Sequence, residues 1–255
     1  MFYHDGMNRL WVILFISFKA LGLDHSHELF GDVLDQHVKV LKQQSLVNYK
    51  SLKSDPSKLN LYISELSKVS KPEFKSWTTD QQIATLINGY NAWTLKLIID
   101  HYPISSIRKI GPFYSTPWKQ DFIKWLGEEV NLDEIEHERI RKVFTEPRIH
   151  FALVCASIGC PSLKTAPFVA DQLNAQLDQA MKDFLSDKSK NTYELKKDVL
   201  ILSVSSIFKW YGSDFGTQEQ LKHLLVKNLG IEKIASGKKI KLEYLDYDWG
   251  LNEIK

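Results

Sequence analysis

Residues 79–101 constrain the fold more than any other stretch of this chain. Apolar positions recur there at helical spacing, at Ile83, Leu86, Ile87, Tyr90, Thr94, Leu97 and Ile98. Thr79 is placed to cap the helix, Asp80 falls in its first turn, and Pro103 lies just beyond its end. One long helix is predicted, with an apolar stripe that has to be covered by other elements. Inside the stripe sits Asn88-Gly89-Tyr90-Asn91-Ala92. The two asparagines share a face as i,i+3 neighbours, and Gly89 lowers helix propensity where the other positions favour it. Two readings stand for Asn88 and Asn91: a polar wall of a binding site, or amides that satisfy nearby backbone groups.

Other segments fill in an α+β pattern. Leu29–Leu41, Ser57–Val69 and Val169–Leu185 have helical spacing, and Thr217 with Gln220 caps a helix that ends at Gly230. Asn131 and Glu134 form a capping box for a helix reaching about Phe144. Residues 122–132 read as a hairpin turning at Gly127-Glu128, and 193–202 as one turning at Lys197-Asp198. Lys239–Tyr247 reads as a final strand. No repeat or Pro/Gly-rich linker breaks the chain, so residues 23–255 read as a single helix-rich domain around a small, mainly antiparallel sheet.

At the N-terminus, Asn8-Arg9 after Met7, the apolar run Leu10–Phe18 and Ala20-Leu21-Gly22 match a cleavable export signal, residues 1–22, whether translation starts at Met1 or Met7. The competing reading is an ordinary N-terminal helix. Export implies a periplasmic or secreted protein with no integral membrane segment once the signal is removed. The net charge of +2 gives no reason to expect nucleic acid or an anionic membrane as partner.

Both cysteines lie in residues 147–161, Pro-Arg-Ile-His-Phe-Ala-Leu-Val-Cys-Ala-Ser-Ile-Gly-Cys-Pro. The apolar run within Ile149–Cys155 is predicted to be a buried strand that delivers Cys155 into a turn of small residues.

Taken together, several segments resemble the bacterial members of the Domain of Unknown Function 547 family. These are Ile87–Ala92 with Asp100–Pro103, Leu132–His137, Pro147–Leu163, Ile207–Tyr211 with Asp214-Phe215, and Tyr247–Trp249 with Leu251-Asn252. The resemblance covers most of the chain but carries no assigned substrate. Papain-like or transglutaminase-like thiol enzymes offer a structural analogy, although here the histidine precedes the cysteine.

The residues point first to a thiol-dependent hydrolase or acyltransferase acting on an amide or thioester bond of an unidentified small molecule or peptide. Cys155 would attack as thiolate, His137 would act as base, and Glu136 would orient it. Asn88, Asn91, His150, Ser157 and Cys160 would line the substrate site, and backbone N–H groups after Cys155 would bind an oxyanion. No cofactor is implied. Metal binding lacks a recognised ligand spacing, although His25 and His27 form a pair that could bind a metal adventitiously. The alternative is a non-catalytic periplasmic binding or scaffolding module with a structural Cys155–Cys160 disulfide. Its groove would be lined by Trp210-Tyr211 and Tyr247-Asp248-Trp249.

Overall fold

The long helix forms the centre of the molecule. The computed structural model describes residues 22–41 and 44–254, so the expected export segment lies outside the described residues except for Gly22. Ahead of the central helix come α1 (Glu28–His37), a hairpin of β1 (Val38–Leu41) and β2 (Gln44–Val47), α2 (Tyr49–Ser54), α3 (Ser57–Lys68) and α4 (Lys71–Ser76). The central helix, α5, spans Thr79–His101. Its cap is Thr78, one residue earlier than expected: Thr78 Oγ1 accepts the Gln81 N–H, and Gln81 Oε1 accepts the Thr78 N–H. Nearly every side chain from Ile83 to Ile99 is buried, so α5 is enclosed on all sides.

After α5 come the hairpin β3 (Ile123–Trp125) and β4 (Glu128–Val130), then α6 (Leu132–Glu134), which widens into a π-helical segment, Ile135–Arg141. The β3–β4 turn is Leu126-Gly127, both with positive φ (55° and 78°). That geometry suits a two-residue hairpin whose twist matches its strands. Asn131 Oδ1 accepts the Glu134 N–H and so starts α6. The chain continues through α7 (Leu173–Ser186), β5 (Thr192–Lys196), β6 (Val199–Ser205), α8 (Ile207–Trp210), α9 (Gln218–Asn228), α10 (Glu232–Ala235) and β7 (Lys239–Leu245).

The class is α+β, with the strands divided among three small sheets. The β1–β2, β3–β4 and β5–β6 pairs are antiparallel, while β7 joins β6 in parallel, Val199 opposite Lys239. None of the helices among the described residues is long and apolar enough to cross a membrane.

Residues 149–155 do not form the expected strand. A 3₁₀ helix covers Pro147–Phe151, and Leu153–Cys155 runs on without a strand partner. Asn91 supplies what a neighbouring strand would: its Nδ2 donates to Ala152 O (2.9 Å), and its Oδ1 accepts the Val154 N–H (3.0 Å). The apolar run is buried all the same, with the Phe151 ring packed against Phe184, Phe208 and Phe215. Burial alone does not distinguish strand from irregular core chain.

Beyond β7 the C-terminal tail pairs with the cysteine segment. Gly159 N–H donates to Asp248 O and Ile158 N–H to Gly250 O, both at 2.8 Å, while Asn252 N–H donates to Ala156 O at 3.1 Å. The tail then reaches β2, where Val47 N–H donates to Asn252 O and Ile254 N–H to Val47 O. Gly159 is required by this packing, because a Cβ there would lie 3.0 Å from both the Asp248 nitrogen and the Tyr247 ring.

Candidate functional site

A cavity of about 300 Å³ opens where the π-helical segment, the cysteine segment, α8 and the C-terminal tail meet. Trp118, Trp210, Tyr247 and Trp249 supply aromatic wall. The Trp249 ring packs within 6 Å of each of the other three, its centroid 5.8 Å from Trp118, 5.8 Å from Trp210 and 4.6 Å from Tyr247. The Arg108 guanidinium also lies against Trp249, 5.2 Å from its centroid. Asp133, Glu136, His137 and His150 bring acid–base groups to the same cavity, and Cys155 and Cys160 bring sulfur.

The acid–base groups form one connected chain with Arg141 and Asp214 at its hub. Arg141 Nε and Nη2 donate to the two oxygens of Asp214 (2.6 and 2.7 Å), a bidentate pair that fixes both planes. Its Nη1 donates to His137 Nδ1 at 2.7 Å. A guanidinium has no acceptor, so Nδ1 is the unprotonated nitrogen of His137. The ring proton therefore sits on Nε2, 3.4 Å from Asp133 Oδ1. His150 Nε2 donates to Asp214 Oδ2 at 2.8 Å, and its Nδ1 lies 3.9 Å from Glu136 Oε1. The His150 ring stacks on Tyr211 with centroids 4.0 Å apart.

Burial sets the protonation of this chain. It pushes His150 down to about 4 despite the Asp214 carboxylate, leaving a neutral imidazole at neutral pH. Asp214 is held down to about 2 by its hydrogen bonds from Arg141, with His150 adding to the effect. Glu136 moves the other way. Burial raises its carboxyl above the ordinary range, against the pull of His137, the Tyr211 hydroxyl and Arg141. A raised carboxyl facing a cavity is suited to hold and deliver a proton.

Cys155 and Cys160 are joined in a disulfide. Cys160 is buried, while Cys155 is partly exposed. Tyr247 Oη lies 3.1 Å from each sulfur, and the Cys155 N–H donates to Cys160 Sγ at 2.8 Å. Ala156 follows with φ 58°, a left-handed conformation that costs a non-glycine residue roughly 1–2 kcal/mol. It turns the chain directly after Cys155 so that residues 156–159 can meet the tail.

Residues 74–185 match the profile of the family described as Protein of unknown function, DUF547. The chain carries a DUF547 segment over residues 74–185. The matched span runs from Phe74 in α4 to Leu185 in α7 and holds both cysteines, Glu136, His137, Arg141 and His150. Trp210, Tyr211, Asp214, Tyr247 and Trp249 complete the cavity and its hydrogen-bond chain from beyond that span. No curated protein and no solved structure matches the chain.

Within the DUF547 segment, Cys155, His137, Glu136, His150 and Cys160 share the cavity as expected neighbours. Their roles need revision. The described residues show no hydrogen bond between His137 and Cys155, and the His137 lone pair is already taken by Arg141. Asn88, Asn91 and Ser157 lie outside the cavity wall. Asn88 clamps Phe168, donating to its carbonyl (2.7 Å) and accepting its N–H (3.0 Å), as Asn91 clamps residues 152 and 154. Ser157 is fully buried, its Oγ donating to Cys155 O. Three of the amides after Cys155 are also engaged, since the N–H groups of Ile158, Gly159 and Cys160 all have backbone partners. His27 is likewise buried, its Nδ1 facing Tyr62 Oη at 2.9 Å, so His25 and His27 are not an exposed pair. Among the described residues, no group of three or more His, Cys, Asp or Glu side chains is arranged to hold a metal ion.

Arg141 and Asp214 are the contributors that sequence reasoning left without a role, and Tyr247 was expected only as groove wall in the binding-module reading, not beside the sulfurs. Asp214 and Tyr247 did stand in segments singled out above, but separations of 73 residues from Arg141 to Asp214 and 92 from Cys155 to Tyr247 hid their contacts.

Proposed function

We propose that this protein is a thiol-dependent hydrolase or acyltransferase whose nucleophile, Cys155, is latent while bonded to Cys160. One observation carries the reading: the outward sulfur, with a phenol beside it, shares a small-ligand-sized cavity with a buried carboxyl of raised proton affinity. Once the pair is reduced, the Cys155 thiolate attacks an acyl carbon and forms a thioester, stabilised beforehand by the Tyr247 O–H. The C–N or C–S bond of the substrate breaks, and Glu136 protonates the departing group. Water or an acceptor nucleophile then releases the acyl group. His150, Asp214, Arg141 and His137 position Glu136 and keep the network in one protonation pattern.

A second reading, a binding module with a structural disulfide, is favoured by the engaged amides and by the occupied nitrogen of His137. Intact-mass analysis after exposing the reduced protein to a small aryl thioester separates the two. The enzymatic reading expects a single acyl adduct, lost in Cys155→Ser and persisting longer in Glu136→Gln. If neither the reduced protein nor Cys160→Ser takes up an acyl group, the binding-module reading replaces it.

A further inference from the structure

The two sulfurs of the disulfide sit in unequal surroundings. Cys160 Sγ is buried and receives the Cys155 N–H at 2.8 Å, which Cys155 Sγ does not, while Tyr247 Oη stands 3.1 Å from both sulfurs and can turn its O–H to whichever carries the charge. Cys155 Sγ is partly exposed and lines the cavity. A disulfide sulfur is a weak acceptor, whereas a thiolate is a strong one. The N–H that only Cys160 receives, joined by the Tyr247 O–H once charge develops there, therefore favours the state in which Cys160 leaves as a thiolate. Tyr247 is held in place for this by its rings against Trp210 and Trp249 and by the tail pairing at Gly159. Burial also keeps its phenol protonated and able to donate.

We infer that Cys155–Cys160 is a thiol–disulfide exchange site for low-molecular-weight thiols, opened by attack on Cys155 with Cys160 as leaving group. The incoming thiolate forms a new S–S bond to Cys155 Sγ, the Cys155–Cys160 bond breaks, and the electron pair goes to Cys160 Sγ. A second small thiolate attacks the small-molecule sulfur of the mixed disulfide and releases Cys155. Two small thiols are thereby oxidised to their disulfide, the protein pair gains two electrons, and the two thiol protons end on the cysteines. A cavity of about 300 Å³ admits a thiol of tripeptide size. The inference concerns the same sulfurs as the acyl-transfer reading but needs no acyl chemistry.

The test uses the folded, oxidised full chain and millimolar reduced glutathione, with alkylation at timed intervals and mass analysis. Opening is expected without denaturant, and Tyr247→Phe is expected to open about tenfold more slowly, the effect of losing one charge-assisted hydrogen bond. With oxidised glutathione, Cys160→Ser should form a mixed disulfide at Cys155, while Cys155→Ser should leave Cys160 unmodified. Opening only in denaturant, or an adduct on Cys160 instead of Cys155, overturns the proposal. A protein that opens with glutathione yet accepts no acyl group upholds this inference and removes the acyl-transfer reading. Acylation of Cys160→Ser with a wild-type disulfide that resists glutathione does the reverse.

Discussion

Asn91 shows how one side chain can replace a strand. Its amide donates to Ala152 O and accepts the Val154 N–H, and all of these groups are buried. Asn91→Ala leaves a carbonyl and an N–H without partners, at roughly 1–3 kcal/mol each. A loss of about 3 kcal/mol in urea-unfolding stability is expected, and a loss below about 1 kcal/mol would show that the clamp is dispensable. Histidine burial gives a second prediction. His150 and His27 are both pushed down to about 4 by burial, while each titrates near 6.5 when unfolded. Between those values the unfolded chain binds more protons at these two sites, so their contribution lowers stability as the pH drops from about 6.5 to about 4 and adds no further loss below. Each histidine contributes at most about 3 kcal/mol to that slope. Urea midpoints measured across this range should flatten in His150→Gln and in His27→Gln, and an unchanged slope in both would contradict the assignment. At this scale the sequence made Cys155, His137 and Glu136 legible as site residues because rare or ionisable groups stand out. It could not reveal that Arg141 occupies His137, since one contact across a helical turn looks like any other.

At the scale of elements, α5 was legible almost to the residue, because spacing, cap and terminating proline agree. Residues 149–155 were misread because a short apolar run signals burial without specifying backbone form. The parallel docking of β7 on β6 was equally hidden, since pairing partners are not written in a strand's own composition. Gly89 marks where helix propensity gave way to packing. A Cβ there would stand 2.8 Å from the Trp93 ring and 3.2 Å from Trp125, two indoles whose centroids are 4.7 Å apart. Gly89→Ala gains about 1 kcal/mol of helix propensity, but overpacking costs about 1–3 kcal/mol. A net loss near 1 kcal/mol is expected, accompanied by a shift in tryptophan emission as the ring pair moves. Greater stability with unchanged emission would mean that the indoles yield freely.

Across the whole molecule, the C-terminal tail ties the site to the N-terminal elements. It pairs with residues 156–159 on one side and with Val47 on the other, and it carries Tyr247 onto the sulfurs. Its anchor is a buried hydrogen bond between residues 203 apart: Tyr49 O–H donates to Asn252 Oδ1 at 2.7 Å. Tyr49→Phe leaves the amide oxygen unpaired and Asn252→Ala leaves the phenol unpaired, so each should cost about 1–3 kcal/mol. The double variant should cost less than their sum by about 1 kcal/mol or more, because a broken pair is lost only once. The anchor is distant in sequence from the cysteine turn, so the decisive readout is remote. Amide exchange at Ile158 and Gly159, whose N–H groups the tail holds, should accelerate in Asn252→Ala by more than the global loss of stability accounts for. If those two amides follow global stability alone, the tail is ordinary packing, and the placement of Tyr247 against the disulfide must be set by the aromatic wall.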